Sequence, residues 1–446
     1  LIQTGLWPCI LVMHMAKQPR RWRRVEAFGP GHPLAWIIWS VPALFFLYEF
    51  ILRIAPSLML PELEQKMQLT AGGIGAALGA YYYAYAPMQL VVGVLLDRFG
   101  SRKLLCMAAL ICVIGLIVGA GVTTPAGLAA SRFLLGLGSA FAYIGAVYVA
   151  MIWFPRRRAA MLTGLTAGIG FTGAIAGEFL LEAMFGTPPS WSRGMWILSI
   201  FGAVFAIAIW MAVPERPSWH LQRVGRHTSH SMRTVLAGLK SVTTHRDTWL
   251  ISIGCALMYL PLAFAGNWGP RDLHIVLGVP TEEAPKLYAM FYAGIGLGCP
   301  LVGWLSDRSG RRRPFLIAGS VAAALGTLLM AWLPESARDW AWIILPVWGL
   351  VVSTYVLGYP MAADLNRRDA AGTAIAFVNC IGMLLAGLMV WLFGVLVDGI
   401  AASRDHAQPQ ANDFRLAMMI LAGFMLLACI ANTMAKEKNQ LEADSD

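Results

Sequence analysis

The chain has 446 residues, of which 58% are hydrophobic and 13% charged, with 34 Lys and Arg against 24 Asp and Glu for a net charge of +10. Soluble domains carry about 25% charged residues, so a string of soluble domains is excluded; apolar stretches long enough to cross a bilayer recur instead. The basic excess then belongs to loops beside a lipid surface, and no nucleic-acid partner is expected.

Residues 1–33 read as a cytoplasmic segment. Within them Leu1–Met13 is apolar but too short to span, and the basic residues Lys17, Arg20, Arg21, Arg23 and Arg24 follow it, the reverse of a signal peptide. Met13 or Met15 is the expected start, which leaves up to fourteen residues, 1–14, outside the translated chain. Apolar runs fall at 34–58, 71–96, 104–123, 126–153, 159–183 and 193–213, then at 246–269, 284–306, 314–333, 340–362, 371–397 and 413–435. Each is near the ~20 residues a helix needs to cross hydrocarbon and too uniformly apolar for a barrel strand. The expected fold class is an all-α membrane protein of twelve transmembrane helices. It divides into a six-helix half over 34–213, a cytoplasmic linker over 214–245, a second half over 246–435 and a cytoplasmic tail over 436–446. Basic residues gather in the connections on the N-terminal side, so both termini are expected in the cytoplasm. The linker's His220, His227, His230 and His245 match no ligand spacing, so no metal is expected. Seven cysteines form no CxxC pair and read as small core residues.

The two halves repeat. Gly93-Val-Leu-Leu-Asp97-Arg98-Phe-Gly100-Ser-Arg102-Lys103 follows the second run, and Gly303-Trp-Leu-Ser-Asp307-Arg308-Ser-Gly310-Arg-Arg312-Arg313 follows the eighth, 210 residues later (97 to 307). A parallel six-plus-six duplication is a known transporter architecture. Gly93 and Gly303 permit close helix approach. Gly100 and Gly310 supply a turn with positive φ. Asp97 and Asp307 can accept from the free N–H groups that begin a neighbouring helix. Arg98, Arg102, Arg308 and Arg312 anchor the loops on the basic side.

The pattern G-x-x-x-D-R-x-G-x-R/K-R/K resembles the loop signature of the major facilitator superfamily. Leu128-xxx-Arg132-xxx-Gly136-x-Gly138-x-Ala140 resembles its fourth-helix motif. The resemblance implies that the aspartates meet the first helix of the opposite half on the cytoplasmic side, a contact made only when that side is closed. It also implies a central cavity lined by the first and fourth helices, with the fourth-helix arginine linked to proton coupling. Span five lacks the embedded Gly-Pro signature of many drug/proton antiporters, which argues against multidrug efflux.

Ionisable groups within spans are rare and mark function by default. Glu49 and Arg53 share a face of the first helix. Arg53, Arg132 and Glu178 lie about 8–9 Å from the outer helix ends and Glu49 about 14 Å. One reading makes Glu49–Arg53 and Arg132–Glu178 structural ion pairs. The other, which the resemblance favours, gives an arginine to an anionic solute group and a carboxylate to a proton. Tyr81, Tyr85 and Gln89 share a face of the second helix, and Asn267 and Asn379 offer neutral hydrogen bonding from the second half.

No P-loop, H-E-x-x-H or nucleophile elbow occurs, so no ATP-driven or enzymatic chemistry and no cofactor is expected. The expected function is proton-coupled symport of a small anionic or zwitterionic solute across a bacterial inner membrane, by a monomer. Tyr48-Glu49-Phe50-Ile51-Leu52-Arg53 with Pro56-Ser57 resembles bacterial members that include amino-acid importers of intracellular pathogens, which points to an amino acid or short peptide. The alternatives are an exporter or antiporter of a metabolite or siderophore, and a non-transporting membrane sensor.

Overall fold

The computed structural model describes residues 32–155, 158–186, 190–214, 232–367 and 370–437. His220, His227 and His230, most of the N-terminal segment and most of the tail lie outside them. Among the described residues there is no strand, as a chain that must satisfy its backbone inside lipid requires.

The first half runs α1 (Leu34–Ile54), a 3₁₀ turn (Ala55–Met59), α2 (Leu60–Met67), α3 (Ala71–Met88), α4 (Val92–Phe99), α5 (Ser101–Ala120), α6 (Pro125–Ser139), α7 (Ala142–Trp153), α8 (Ala159–Phe185) and α9 (Trp191–Ala212). After α10 (Met232–Thr243) the second half runs α11 (Arg246–Ala265), α12 (Gly269–Leu277), α13 (Ala284–Ser309) and α14 (Arg313–Trp332). It closes with α15 (Ala341–Val352), α16 (Gly358–Leu365), α17 (Ala371–Ser403) and α18 (Ala411–Met434). Side-chain oxygens of Thr70, Thr124 and Ser190 cap α3, α6 and α9.

Among the described residues, eleven helical segments are long and apolar enough to cross a membrane on their own. The exception is the second expected span. It breaks at Gln89–Val91 into α3 and α4, just after Pro87, and its glycines and tyrosines dilute its apolar character. What those residues gain is close packing. A Cβ at Gly75 would lie 2.5 Å from the Val390 carbonyl oxygen, and one at Gly79 would lie 2.9 Å from that of Gly387. Any larger residue would push α3 off α17. This pair and α8 against α13 are the two largest seams between the halves among the described residues.

The turn glycines behave as their loops require: Gly100 has φ +86° and Gly310 φ +65°. The linker contains α10, a helix the polar reading of 214–245 did not anticipate, which buries Val242.

Candidate functional site

The first half brings three of its charged residues to one buried place. On α1, Arg53 donates through Nε (3.1 Å) and Nη2 (2.7 Å) to Glu49 Oε1, and Tyr81 on α3 donates to the same oxygen. Arg53 Nη1 donates to the Tyr259 hydroxyl of α11 at 3.2 Å, which ties this cluster to the second half. The guanidinium also lies 5.2 Å from the Tyr85 ring centroid and 4.7 Å from that of Phe50. Glu49 Oε2 has no hydrogen-bond partner among the described residues.

Arg132 is 1% exposed, but it does not pair with Glu178. It donates to the Leu52 carbonyl (3.0 Å) and the Arg53 carbonyl (3.3 Å), and its guanidinium lies 4.7 Å from the Tyr81 ring centroid. The reason is in the local sequence. Helical geometry would give the Leu52 carbonyl to the N–H of residue 56, and Pro56 has none. A buried carbonyl is left open, and Arg132 fills it. The expected Arg132–Glu178 ion pair is therefore corrected. The Glu49–Arg53 pair is present.

Glu178 on α8 is 1% exposed, and neither carboxylate oxygen has a hydrogen-bond partner among the described residues. Asn267 Nδ2 donates to the Tyr82 hydroxyl (3.1 Å) and to the Ala263 carbonyl (2.9 Å). Gln89 and Asn379 meet each other: Asn379 Nδ2 donates to Gln89 Oε1 at 2.8 Å, and Tyr359 donates to Asn379 Oδ1 at 3.1 Å. The face shared by Tyr81, Tyr85 and Gln89 thus serves two sites, with both tyrosines on Arg53 and the amide at the seam with α17.

At the end of the bundle that carries the loop motifs, Asp97 is half-buried and Asp307 exposed, and neither carboxylate has a hydrogen-bond partner among the described residues. The contact expected of them, with the first helix of the opposite half, is not made. Arg98 lies 5.3 Å from the Phe99 ring centroid, and Arg308 lies 5.7 Å from that of Trp304. Arg102 donates to the Val213 carbonyl at 2.6 Å, and Arg312 pairs with Asp364 at 2.6 Å. A Cβ at Gly93 or Gly303 would meet nothing, so these two do not mediate a close approach here.

The opposite end has the aspartate-to-helix contact instead. Asp398, near the end of α17, accepts from the Ala71 and Gly72 N–H groups that begin α3, at 3.1 and 2.7 Å. Beside it, Arg271 of α12 pairs with Glu64 of α2, again across the halves. Burial pushes the Glu64 carboxyl above its ordinary value, with Arg271 acting the other way. Sequence reasoning gave no role to Asp398, Glu64, Arg271 or Asp272. Asp272 on α12 is 2% exposed, and burial pushes its carboxyl up to about 7. An acid two residues beyond Gly269-Pro270, beside an apolar run, was the one available signal.

The sequence matches the family described as Major Facilitator Superfamily over residues 43–390 and again over 287–442. It is 26% identical over 430 residues to an uncharacterized transporter, YybO, of Bacillus subtilis (strain 168), covering 89% of this chain and 92% of that one. It is 24% identical over 309 residues to a probable sulfoacetate transporter, SauU, of Cupriavidus necator, covering 67% and 70%. Among solved structures, a bacterial homolog to the human lysosomal transporter Spinster, in an inward-facing and unoccupied conformation, superposes with a TM-score of 0.76 at 16% identity. That match covers 91% of this chain and 97% of the other, and speaks for the fold.

Proposed function

The chain belongs to the major facilitator superfamily and is a multi-pass membrane transporter, and from that premise we propose that it carries a small anionic or zwitterionic organic solute by proton-coupled symport. The observation that carries this reading is the charge balance of the buried cluster. Two guanidiniums, Arg53 and Arg132, stand against one paired carboxylate, Glu49. Arg132 gives its hydrogens to carbonyls and has no carboxylate partner among the described residues. A buried cation without a counter-charge is costly, and an anionic solute group supplies one. Arginine's planar fork suits a carboxylate or sulfonate. SauU, whose name specifies sulfoacetate, fits such a solute. Glu178 is the proton site in this reading, since an isolated buried carboxyl is far cheaper neutral than charged. Gln89, Asn379 and Tyr359 select the uncharged part of the solute, which suits an amino acid, short peptide or organic acid.

We read it as a monomer of the bacterial inner membrane, and the basic loops support an orientation with both termini in the cytoplasm. The motif end then faces inward and the Asp398 end outward, and the conformation described above is the one closed to the outside. Alternating access would release the Asp398 and Glu64–Arg271 contacts and bring Asp97 and Asp307 into theirs.

Thermal melts of the purified protein against a panel of organic anions, amino acids and organic cations test the charge argument. A binding anion at a hundredfold excess over its Kd stabilises by about 2.7 kcal/mol. That rise in Tm is expected for anions or zwitterions, absent for cations, and lost in Arg53→Gln. A rise with organic cations alone would overturn the proposal.

A further inference from the structure

Six buried polar atoms, with no hydrogen-bond partner among the described residues, lie on α8, on α13 and in the 267–272 stretch that packs against α13. They are Glu178 Oε1 and Oε2, the Tyr288 and Tyr292 hydroxyls, Asn267 Oδ1 and Asp272 Oδ1. A buried polar atom that nothing meets is destabilising, and so many in one region need a shared explanation. The backbone places them in a row. Tyr288 and Tyr292 are one turn apart on α13. A Cβ at Gly266 would lie 3.2 Å from the Tyr292 hydroxyl and 3.5 Å from Ile54, whose side chain also lies 2.7 Å from a Cβ at Gly177, beside Glu178. At the other end the Tyr288 ring lies against Gly269, 2.5 Å from a Cβ there, three residues before Asp272 and on its face of α12. Glu178 lies within electrostatic reach of both tyrosine hydroxyls, and Asp272 within reach of that of Tyr288.

We propose that Asp272, Tyr288, Tyr292 and Glu178 form one hydrated proton-carrying chain, joining the end of the bundle closed by Asp398 to the carboxyl on α8. The inference rests on the proton coupling proposed above. In each transfer the Asp272 carboxylic acid gives its proton towards Tyr288. The hydroxyls and intervening waters each accept one proton and pass on another. The Glu178 carboxylate takes the last. The transfer leaves Asp272 carboxylate and Glu178 carboxylic acid, with no net change between, and a hydronium ion outside then re-protonates Asp272 and is left as water.

The surroundings favour this route. From α18 the charge that acts on Asp272 is Arg415, which is half-buried and donates to Asn412 at 3.2 Å. On α12 itself Arg271 is held by Glu64, and His274 Nδ1 lies 2.9 Å from the Val279 carbonyl. The turn at 335–340 brings only the outlying Glu335, Arg338 and Asp339, and α11 brings Tyr259, which is held by Arg53. Facing Glu178, α1 offers Glu49 and Arg53, which are committed to each other. The 55–59 turn offers no charge, and α9 offers Arg193, exposed beside Gly186. From α7 come the half-buried Tyr143 and Tyr148. Asp272, with its carboxyl near 7, is matched to hand over a proton at neutral pH.

Infrared spectroscopy of the full-length protein in detergent, transferred into D2O, tests the chain with no solute present. The wild type should show a carboxylic-acid carbonyl band at neutral pH that Glu178→Gln removes. The deuterium shift of that band should slow on the order of a hundredfold in Asp272→Asn, and should also slow in Tyr292→Phe, which keeps the ring and its packing. An unchanged exchange rate in both variants, or the absence of a Glu178 band, overturns the inference. Because no transport is read, loss of proton coupling in vesicles would sink the symport reading while leaving this measurement intact.

Discussion

Replacing Asp398 with Ala should loosen the outward-closed state. The carboxylate accepts from two of the four N–H groups that α3 leaves open, at 3.1 and 2.7 Å, and does so from the opposite half. Losing a helix cap costs about 1 kcal/mol, and losing an acid at a helix N-terminus a further ~0.3–1 kcal/mol. Asp398 is half-buried, so screening removes part of this. The result is about 1–2 kcal/mol, a shift of roughly 5–30-fold in the ratio of closed to open molecules. The Arg271–Glu64 pair stays in place and limits the shift. Spin labels at Lys66→Cys and Ser403→Cys, exposed positions on opposite halves at this end, would report it as a distance distribution. The expected result is a new, longer population in the Asp398→Ala background. A distribution identical to the parent's would refute the idea that this cap holds the halves together.

Other outcomes follow from the same geometry. Arg132→Gln should destabilise by about 1–3 kcal/mol by uncapping the Leu52 carbonyl, and Pro56→Ala, which restores an N–H at residue 56, should recover part of that loss in a double-mutant cycle read by thermal melts. Additive effects would contradict it. Gly75→Leu should prevent outward closure, because its side chain would enter space held by the Val390 carbonyl; the Lys66–Ser403 label pair should then show the long population alone. Asp272→Asn should flatten the pH dependence of stability. With the folded carboxyl raised from 3.8 to about 7, the folded state is favoured at low pH and loses that advantage as pH rises through this window. The wild-type Tm should therefore fall across it more steeply than that of the variant.

Much of this architecture was legible in the chain. Apolar run length gives the spans, the i,i+4 spacing gives the Glu49–Arg53 pair, and the repeated loops give the positive φ at Gly100 and Gly310. What escaped depends on contacts between distant segments. Pro56 announces an unmet carbonyl, but nothing local says that Arg132, some eighty residues on, will meet it. Hydropathy reads α3 as a weak span, whereas its glycines and tyrosines are where the two halves touch. The aspartate caps were expected at the motif end, because a sequence carries no information about which side of an alternating bundle is shut. Asp272 was passed over because it falls between runs, in a short helix that burial rather than composition brings into the protein.

Proton movement coupled to solute is the central claim, and purified protein in liposomes loaded with a pH dye tests it most directly. Organic anions and amino acids would be added outside, one at a time, with no imposed gradient. The account predicts lumenal acidification with at least one of them, lost in Glu178→Gln while that variant still exchanges preloaded labelled solute. Exchange of label by the wild type with no pH change for any solute would contradict it, and would leave Glu178 a buried acid without a part in transport.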